Sequence, residues 1–379
     1  MKVCHLRCKY RATENCCQDD LRGSLAPYEC KLSLDDQAAL LFLLTTMKNT
    51  RKWIGIICAA CIGLLTACDG TPLGTSLIIA TATPGGTYYP VGVGIGTLVT
   101  EKLQPDIAAS AINSAGSGEN IQMMVNGEAQ FGILQGLFGA MAYTGTGQYK
   151  EPVKDIRSIT MLWQNVEHFL VRSDAVRSGT IADLKGLGQR YSIGKRGSGT
   201  EGSTRTILDA LSIDVEQDLQ PEFLGYSPSV QALMDGRISG ATVPAGPPVA
   251  AATQAYAQMG EDVSLLEFTD DQLTAVRNAY AVWTRYVIEP GTYPGQDSPV
   301  QTIAQPNFLA CRADLDTDVV YRITKTIYDN LPYLQNIHSS TKAMHIDRAI
   351  GGLAVPLHPG ALKYYREQGI EIPPELSVD

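Results

Sequence analysis

Cysteine is nearly absent from most of this 379-residue chain. Eight of the nine cysteines lie at or before Cys68, and only Cys311 follows. A disulfide-stapled fold would distribute its cysteines through the body, so the sequence argues against that class. We interpret the early cysteines as unselected; a zinc site is the alternative, although no matching Cys/His pair follows at the usual spacing. Cys311 lies in a strand-like apolar segment, which predicts a small buried side chain.

Positive charge is also scarce after the first part of the chain. The formal net charge is −9, and residues 1–67 carry +3, which leaves −12 on the remainder. Nucleic-acid binding depends on clustered Lys and Arg, so the acidic body argues against a nucleic-acid partner. It does not exclude an anionic ligand, because a binding site needs only local hydrogen-bond donors.

The sequence lacks motifs for catalysis. His168, His338, His345 and His358 have no neighbouring Cys or carboxylate at ligand spacing. There is no Gly-x-Ser-x-Gly nucleophile motif and no Walker-type phosphate loop. We therefore expect neither an enzyme nor a metal site; a secreted enzyme on the same fold is an alternative that would require a demonstrated product.

Residues 47–68 have the order of a secretory signal peptide. A basic stretch precedes an apolar run from Ile54 to Leu65, and a small-residue site ends at Cys68. The apolar run is shorter than the roughly 20 residues that span a bilayer, and a transmembrane anchor is the alternative. The ending Leu-Thr-Ala-Cys68 resembles a bacterial lipobox, in which the cysteine thiol carries the lipid. We therefore expect residues 47–67 to be removed and Cys68 to be lipidated.

The signal peptide begins at Met47, not at Met1. We expect residues 1–46 to result from an upstream start codon and to be absent from the cellular protein. Peptides from that segment in native material would contradict this expectation. Residues 68–76 are polar and rich in turn-forming residues, which predicts a tether before the folded body.

Short apolar runs alternate with helical patterns through the rest of the chain, which predicts an α/β fold with two successive units. The predicted strands cover residues 77–82, 107–113, 131–134, 156–163, 167–172, 191–194, 222–225 and 240–243. The predicted helices cover residues 88–103, 119–126, 197–211, 227–235, 316–331 and 341–350, and a short helix starts at 181–186. Glycines 92, 94 and 96 lie inside the first helix, which favours close helix packing over a dinucleotide site.

Three strand-to-helix turns are rich in Gly, Ser and Thr, at residues 83–89, 114–120 and 197–201. Free N–H groups at a helix start bind anions, and small residues let a ligand approach the backbone. Each turn alone is explained by helix capping. Three turns at the carboxyl ends of strands predict a binding cleft. Lys195 and Arg196 precede the third turn and could neutralise a carboxylate.

At this point a family resemblance becomes specific. In order and spacing, the chain over about residues 77–370 is similar to the TAXI family, the solute-binding subunits of tripartite ATP-independent periplasmic (TRAP) transporters. The segments that carry the resemblance are residues 83–90, 114–120, 126–129, 132–135, 197–201, 290–297 and 357–361. The resemblance implies a two-lobed type II periplasmic-binding-protein fold, with mixed sheets flanked by helices and a ligand cleft between the lobes. We expect lobe I at residues 77–168 and 308–379, and lobe II at 169–307.

The resemblance also implies a set of ligand contacts. Carried over residue by residue, they are Thr87, Tyr88, Ser117, Asn120, Gln135, Ser198, Gly199, Thr200 and Glu201. Pro247 lies in the 245–248 turn, where lobe II would close the cleft, and Arg196 is added because of its charge. Lys195-Arg196 and Thr83-Pro84 depart from the family pattern, so the ligand class stays open around a dicarboxylate or an amino acid, such as glutamate or 2-oxoglutarate.

The expected function is capture of a small organic anion in the periplasm and delivery to TRAP membrane subunits, with the protein anchored to the membrane through Cys68. A protein that reports its ligand to a sensor kinase is the alternative. The resemblance implies no cofactor, and calcium in the cleft is kept as an alternative.

Overall fold

The computed structural model describes residues 74–377, which form two mixed sheets flanked by helices. The strands are β1 (Thr75–Ala80), β2 (Ile107–Ile112), β3 (Phe131–Gln135), β4 (Ile156–Val166), β5 (Phe169–Arg172), β6 (Arg190–Ser192), β7 (Gln220–Glu222), β8 (Gly240–Thr242), β9 (Val263–Leu265), β10 (Thr284–Ile288) and β11 (Val300–Arg312). The helices are α1 (Tyr88–Leu103), α2 (Ser117–Val125), α3 (Gly136–Thr144), α4 (Gly199–Ala210), α5 (Val215–Asp218), α6 (Tyr226–Met234), α7 (Ala250–Met259), α8 (Asp270–Ala279), α9 (Thr317–Asp329), α10 (Leu331–Ile337) and α11 (Pro359–Glu367). The predicted α/β class with mixed sheets is confirmed.

The first sheet has the strand order β10-β11-β3-β1-β2, and β4 pairs with β11. β1 is parallel to both β2 and β3, because helices connect these strands in sequence. β11 runs antiparallel to β3, β4 and β10. The carboxyl ends of β1, β2 and β3 therefore meet at one edge of this sheet, and the turns into α1, α2 and α3 follow there. We call this sheet and the helices packed on it lobe I.

The second sheet has the order β7-β6-β8-β5-β9 and defines lobe II. β6 is parallel to β7 and β8, whereas β5 is antiparallel to β8 and β9. The chain passes from the first sheet to the second at residues 167–168, between β4 and β5. It returns to the first sheet with β10 and β11. The lobe boundaries expected from the sequence stay predictions; the boundary at residue 307 falls within β11, which is hydrogen-bonded in the first sheet along its length.

Helix α1 packs closely on the first sheet through its glycines. A side-chain carbon at Gly92 would lie 2.3 Å from the methyl carbon of Thr81, and one at Gly96 would lie 3.2 Å from the carbonyl oxygen of Ala109. These distances leave no room for a larger residue at Gly92. The close-packing explanation of the glycine pattern is confirmed, and the helix N-terminus is fixed above the sheet edge. Cys311 lies in β11 and is fully buried, as predicted.

The predicted signal peptide, the lipidation residue Cys68 and residues 1–46 lie outside the described part of the chain. β1 begins at Thr75, two residues inside the predicted tether at 68–76, because Thr75 pairs with Ile107 and donates a backbone hydrogen bond to Asp106 (2.7 Å). Across residues 74–377, none of the helices has both the length and the apolar character needed to cross a bilayer.

Candidate functional site

Four helix N-termini meet at a cavity between the two lobes. Helices α1 and α2 approach it from lobe I, and helices α4 and α6 approach it from lobe II. The cavity has a volume of about 30 Å³, which is room for a small group or a few waters. Its walls are formed by Ala82, Thr83, Gly86, Thr87, Tyr88, Ala115, Gly116, Ser117, Gln135, Asn165, Gly199, Thr200, Tyr226, Pro244 and Ala245.

The helix ends at this cavity carry partial positive charge. α1, α2 and α6 have no side chain that caps their first N–H groups. In α4 the Ser198 hydroxyl caps by accepting a hydrogen bond from the Glu201 N–H (3.0 Å). No Lys or Arg lies among the described residues that line the cavity. Negative charge in the cavity would therefore be stabilised by backbone N–H groups and helix dipoles, without an ion pair.

Six of the residues predicted from the sequence line the cavity together: Thr87, Tyr88, Ser117, Gln135, Gly199 and Thr200. They come from four separate strand-to-helix turns, three of them after the parallel strands β1, β2 and β3 of lobe I and one after β6 of lobe II. The prediction that the glycine-rich turns lie at a common site agrees with this geometry. Their role in ligand binding stays a prediction.

Asn120 lies close behind the cavity wall and is fully buried. Its amide nitrogen donates to the carbonyl oxygens of Thr81 (2.7 Å) and Ile133 (2.8 Å), and its oxygen accepts from the Ser114 hydroxyl (2.6 Å). These contacts tie α2 to β1 and β3. The side chain thus holds the wall of the cavity in place and is not part of its lining.

Three charged or capping residues of the third turn also lie outside the lining. The Arg196 guanidinium carbon stacks over the Phe223 ring, 3.5 Å from the ring centroid, and is exposed. The Glu201 carboxylate accepts from the Gly197 N–H (2.8 Å) and pairs with Arg205. Together with the Ser198 cap, these contacts shape the turn before α4. Arg196 therefore does not line the cavity in this arrangement, and its role in neutralising a ligand stays a prediction.

Pro247 lies at the edge of the cleft, where the lobes touch. The hydroxyl of Ser340, in lobe I, donates to the Pro247 carbonyl oxygen (2.8 Å). The hydroxyl of Thr87 donates to the Gly246 carbonyl oxygen (3.0 Å), and the Ala251 N–H donates to the Gly85 carbonyl oxygen (3.2 Å). These bonds join the two lobes directly and enclose the cavity.

Asn165 and Tyr226 line the cavity but were not singled out from the sequence. The Asn165 oxygen accepts from the Asn307 amide (3.2 Å), and the other end of Asn307 accepts from the Tyr88 hydroxyl. The Tyr226 hydroxyl donates to the Pro244 carbonyl oxygen and contacts the Thr200 hydroxyl at 2.9 Å. The only signal for Asn165 was a polar residue near the end of an apolar strand, and Tyr226 had the signal of a helix start after Gly225.

The two cavity tyrosines are neutral hydrogen-bonding groups at physiological pH. Burial raises the pKa of Tyr88 well above its usual range, and burial raises the pKa of Tyr226 in the same direction. Neither phenol can act as a base near pH 7. The tyrosines therefore orient neighbours and contribute polar surface without adding charge.

Two amide groups in the cavity wall have hydrogen-bonding capacity that the described residues leave unused. The side-chain oxygen of Gln135 and the side-chain nitrogen of Asn165 are buried and have no partner among these residues. Buried polar groups without a partner are uncommon in proteins and are costly. One acceptor and one donor thus remain for a bound molecule, beside the positive helix ends.

The cavity does not fit calcium. Calcium prefers several carboxylate and carbonyl oxygens, and no carboxylate lines the cavity among the described residues. Elsewhere in residues 74–377, no group of three His, Cys, Asp or Glu side chains is placed to hold a metal ion.

Comparison with known proteins gives one family match and several structural likenesses. The model of the NMT1-like family matches residues 79–369. MatC from Rhodopseudomonas palustris with bound malate is 14% identical with a TM-score of 0.48, over 78% of this chain and 97% of that chain. The periplasmic aliphatic sulphonate binding protein SsuA from Escherichia coli is 14% identical with a TM-score of 0.40, over 77% of this chain and 82% of that chain. The structure itself has the arrangement expected from the sequence, with two mixed sheets flanked by helices and a cavity between them.

Proposed function

We propose that this chain, which belongs to the NMT1-like family, captures a small organic anion between its two lobes and acts as a solute-binding protein. The observation that carries the proposal is the cavity at which four helix N-termini meet, three of them without a side-chain cap. Positive helix ends stabilise an anion, and the unused Gln135 oxygen and Asn165 nitrogen supply specific hydrogen bonds.

Capture would proceed by closure of the lobes around the ligand. Contacts to the ligand from both lobes favour the closed arrangement, because only contacts that differ between states shift their populations. Tyr88, Ser117 and Gln135 contribute from lobe I, and Gly199 and Thr200 from lobe II. The lining contains no pair of groups arranged as acid and base, so we propose a binding role and not an enzymatic one.

The finer assignment rests on the sequence. The segments similar to the TAXI family support delivery of the anion to TRAP membrane subunits, and the lipobox-like Cys68 supports a periplasmic protein anchored by lipid. A dicarboxylate or an amino acid such as glutamate or 2-oxoglutarate remains the proposed ligand class. Capture in this compartment would require no metal and no cofactor.

A thermal-shift screen of the purified protein tests the central proposal. The panel contains organic acids, amino acids and neutral sugars, with and without calcium. A molecule that binds only the folded state raises the unfolding temperature by mass action. We expect a clear rise with at least one organic acid, independent of calcium. A rise confined to neutral sugars, or one that requires calcium, would overturn the proposed anion site.

Alanine at Gln135 or Thr200 is expected to weaken binding of the acid found in that screen by about tenfold each. Each change removes one polar contact in the cavity, worth up to about 1.5 kcal/mol, and 1.4 kcal/mol corresponds to a factor of ten. Titration calorimetry measures the affinity. Gln122→Ala, on the exposed face of α2, is the matched control and should bind like the wild type. Unchanged affinity in both cavity variants would place the ligand elsewhere.

A further inference from the structure

Glu167 is a buried carboxyl at the point where the chain crosses between the lobes. It follows β4 and precedes β5, and only 1% of the residue is exposed. Its N–H donates to the Ile303 carbonyl oxygen (2.9 Å), and its own carbonyl oxygen accepts from the Thr302 hydroxyl (2.8 Å). The backbone of Glu167 is thus fixed against β11.

The carboxyl group has no hydrogen-bond partner within the described part of the chain. Both of its oxygens are buried and unpaired. Ser203 and Gln305 are its polar neighbours, but neither meets hydrogen-bond geometry, and the Gln305 amide nitrogen is itself unpaired. Gln305 is held in place by its oxygen, which accepts from the Leu137 N–H (2.8 Å). An acceptor pair and a donor therefore lie together, buried and unused.

No cationic side chain faces this carboxyl among the described residues. The titratable groups near it are the phenols of Tyr88, Tyr191 and Tyr226, all neutral at physiological pH because burial raises each pKa. The neighbouring His168 ring is turned toward Tyr293 (2.7 Å between Nε2 and the phenol oxygen). Burial lowers the pKa of His168 to about 4, so this ring carries no charge either.

An ionised carboxylate without a partner is strongly disfavoured in such surroundings. Burial raises the pKa of Glu167 to about 8, against the smaller opposing effect of Ser203 and Gln305. At neutral pH the group is therefore protonated in the arrangement that the structure shows.

The groups around Glu167 belong to both lobes. Tyr88 on α1 and Gln305 on β11 lie in lobe I, whereas Ser203 on α4 and Tyr226 on α6 lie in lobe II. Opening of the cleft separates these elements and admits water to the carboxyl. A hydrated carboxyl loses a proton near its ordinary pKa of 4.5.

We propose that Glu167 is a proton-binding site that links closure of the cleft to the uptake of one proton. The proposal rests on the capture mechanism above, since it concerns the same closing movement. It lies outside the ligand contacts, because Glu167 does not line the cavity. An anion captured at neutral pH would be accompanied by a proton bound at Glu167.

The direction of the pH dependence follows from proton linkage. The closed state holds a proton that the open state lacks between pH 4.5 and about 8. Below pH 4.5 this group has no effect on the equilibrium constant for closure. Between pH 4.5 and about 8 that constant falls by up to tenfold for each pH unit, and above about pH 8 it no longer changes. Rising pH favours the open form.

Infrared spectroscopy and small-angle X-ray scattering on the ligand-free protein test the proposal together. In the wild type we expect a carbonyl band of a protonated carboxyl at pH 6.5, which disappears at higher pH with a midpoint below about 8 as the radius of gyration increases. Glu167→Gln should lack the band and remain compact at both pH 6.5 and pH 9.5. Asp183, the other buried carboxyl among the described residues, gives no such band: partial burial acts to raise its pKa, but hydrogen bonds from Ser178 and backbone N–H groups lower the pKa below its usual value.

A second variant keeps the test independent of whether Glu167→Gln folds. Gln305→Leu removes a side chain that lowers the pKa of Glu167, so the midpoint of the band should move to higher pH. Absence of the band at pH 6.5 in the wild type would overturn the proton site. A band that titrates without any change in the radius of gyration would overturn the link to closure. Both readouts need no ligand, so a failed ligand screen would count against the proposed function and leave this result intact.

Discussion

Gly118→Ala is expected to leave the protein folded while lowering its affinity for the captured acid by about 10- to 100-fold. Gly118 lies in the first turn of α2, in lobe I, and a side-chain carbon there would lie 2.3 Å from the Gly197 carbonyl oxygen of lobe II. Overpacking of this kind costs about 1–3 kcal/mol. The clash exists only while the two lobes are in contact.

The same substitution is favourable for the helix itself. Gly118 has an ordinary helical backbone, and alanine in a helix is more favourable than glycine by about 0.5–1 kcal/mol. Because opening of the lobes relieves the clash, the variant should unfold close to the wild-type temperature without ligand, and it should show a larger radius of gyration in X-ray scattering. A packing defect in the core would give the opposite result, with a lower unfolding temperature and no change in the radius of gyration.

Gly351→Ala is the matched control for this prediction. Gly351 is exposed, and a side-chain carbon there would lie 3.4 Å from its nearest neighbour, an ordinary contact. Calorimetric titration with the acid should give the wild-type affinity for this control. If Gly118→Ala also binds like the wild type, closure does not bring α2 against the turn before α4, and the capture mechanism is wrong at that contact.

The sequence predicted those parts of the fold in which local pattern and tertiary role agree. The helix predicted over residues 88–103 is present with the same bounds, because Gly92 packs against Thr81, Gly96 packs on β2 and its apolar residues face the sheet. α3 was missed, since residues 131–144 are almost entirely apolar apart from Gln135 and Thr144, and periodicity cannot separate the end of β3 from the helix that follows. The helix predicted over 341–350 is two short 3₁₀ turns, at Ser339–Ala343 and Ile346–Arg348.

The site was predictable where glycine and hydroxyl residues mark strand-to-helix turns, and not where a role depends on partners distant in sequence. Arg196 had the charge for an anion site, but only the fold shows that Phe223 holds its side chain outside the cavity. In the sequence, Glu167 is only the first residue of the strand predicted over residues 167–172. Its burial without a charge partner arises from contacts with residues up to 138 positions away, at Gln305.

Asn120 illustrates the same limit, and its replacement is the second large effect that we expect. Asn120→Ala should lower the free energy of unfolding by about 3 kcal/mol. The change removes three hydrogen bonds from a fully buried position: two that the Asn120 amide donates to the carbonyl oxygens of Thr81 and Ile133, and one that it accepts from the Ser114 hydroxyl. Each such bond contributes about 1 kcal/mol net. Urea denaturation of the ligand-free protein measures the loss.

Asn126→Ala, at the exposed end of the same helix, is the control and should change the free energy of unfolding by less than about 0.5 kcal/mol. The comparison with Gln135→Ala then separates two roles that the sequence could not distinguish. Replacing a residue that contacts the ligand should lower the affinity and leave most of the stability of the protein intact. Replacing Asn120 should mainly lower the free energy of unfolding, because this side chain holds α2 against β1 and β3. If Asn120→Ala instead keeps the wild-type stability and loses most of its affinity, Asn120 contacts the ligand, as the family resemblance implies.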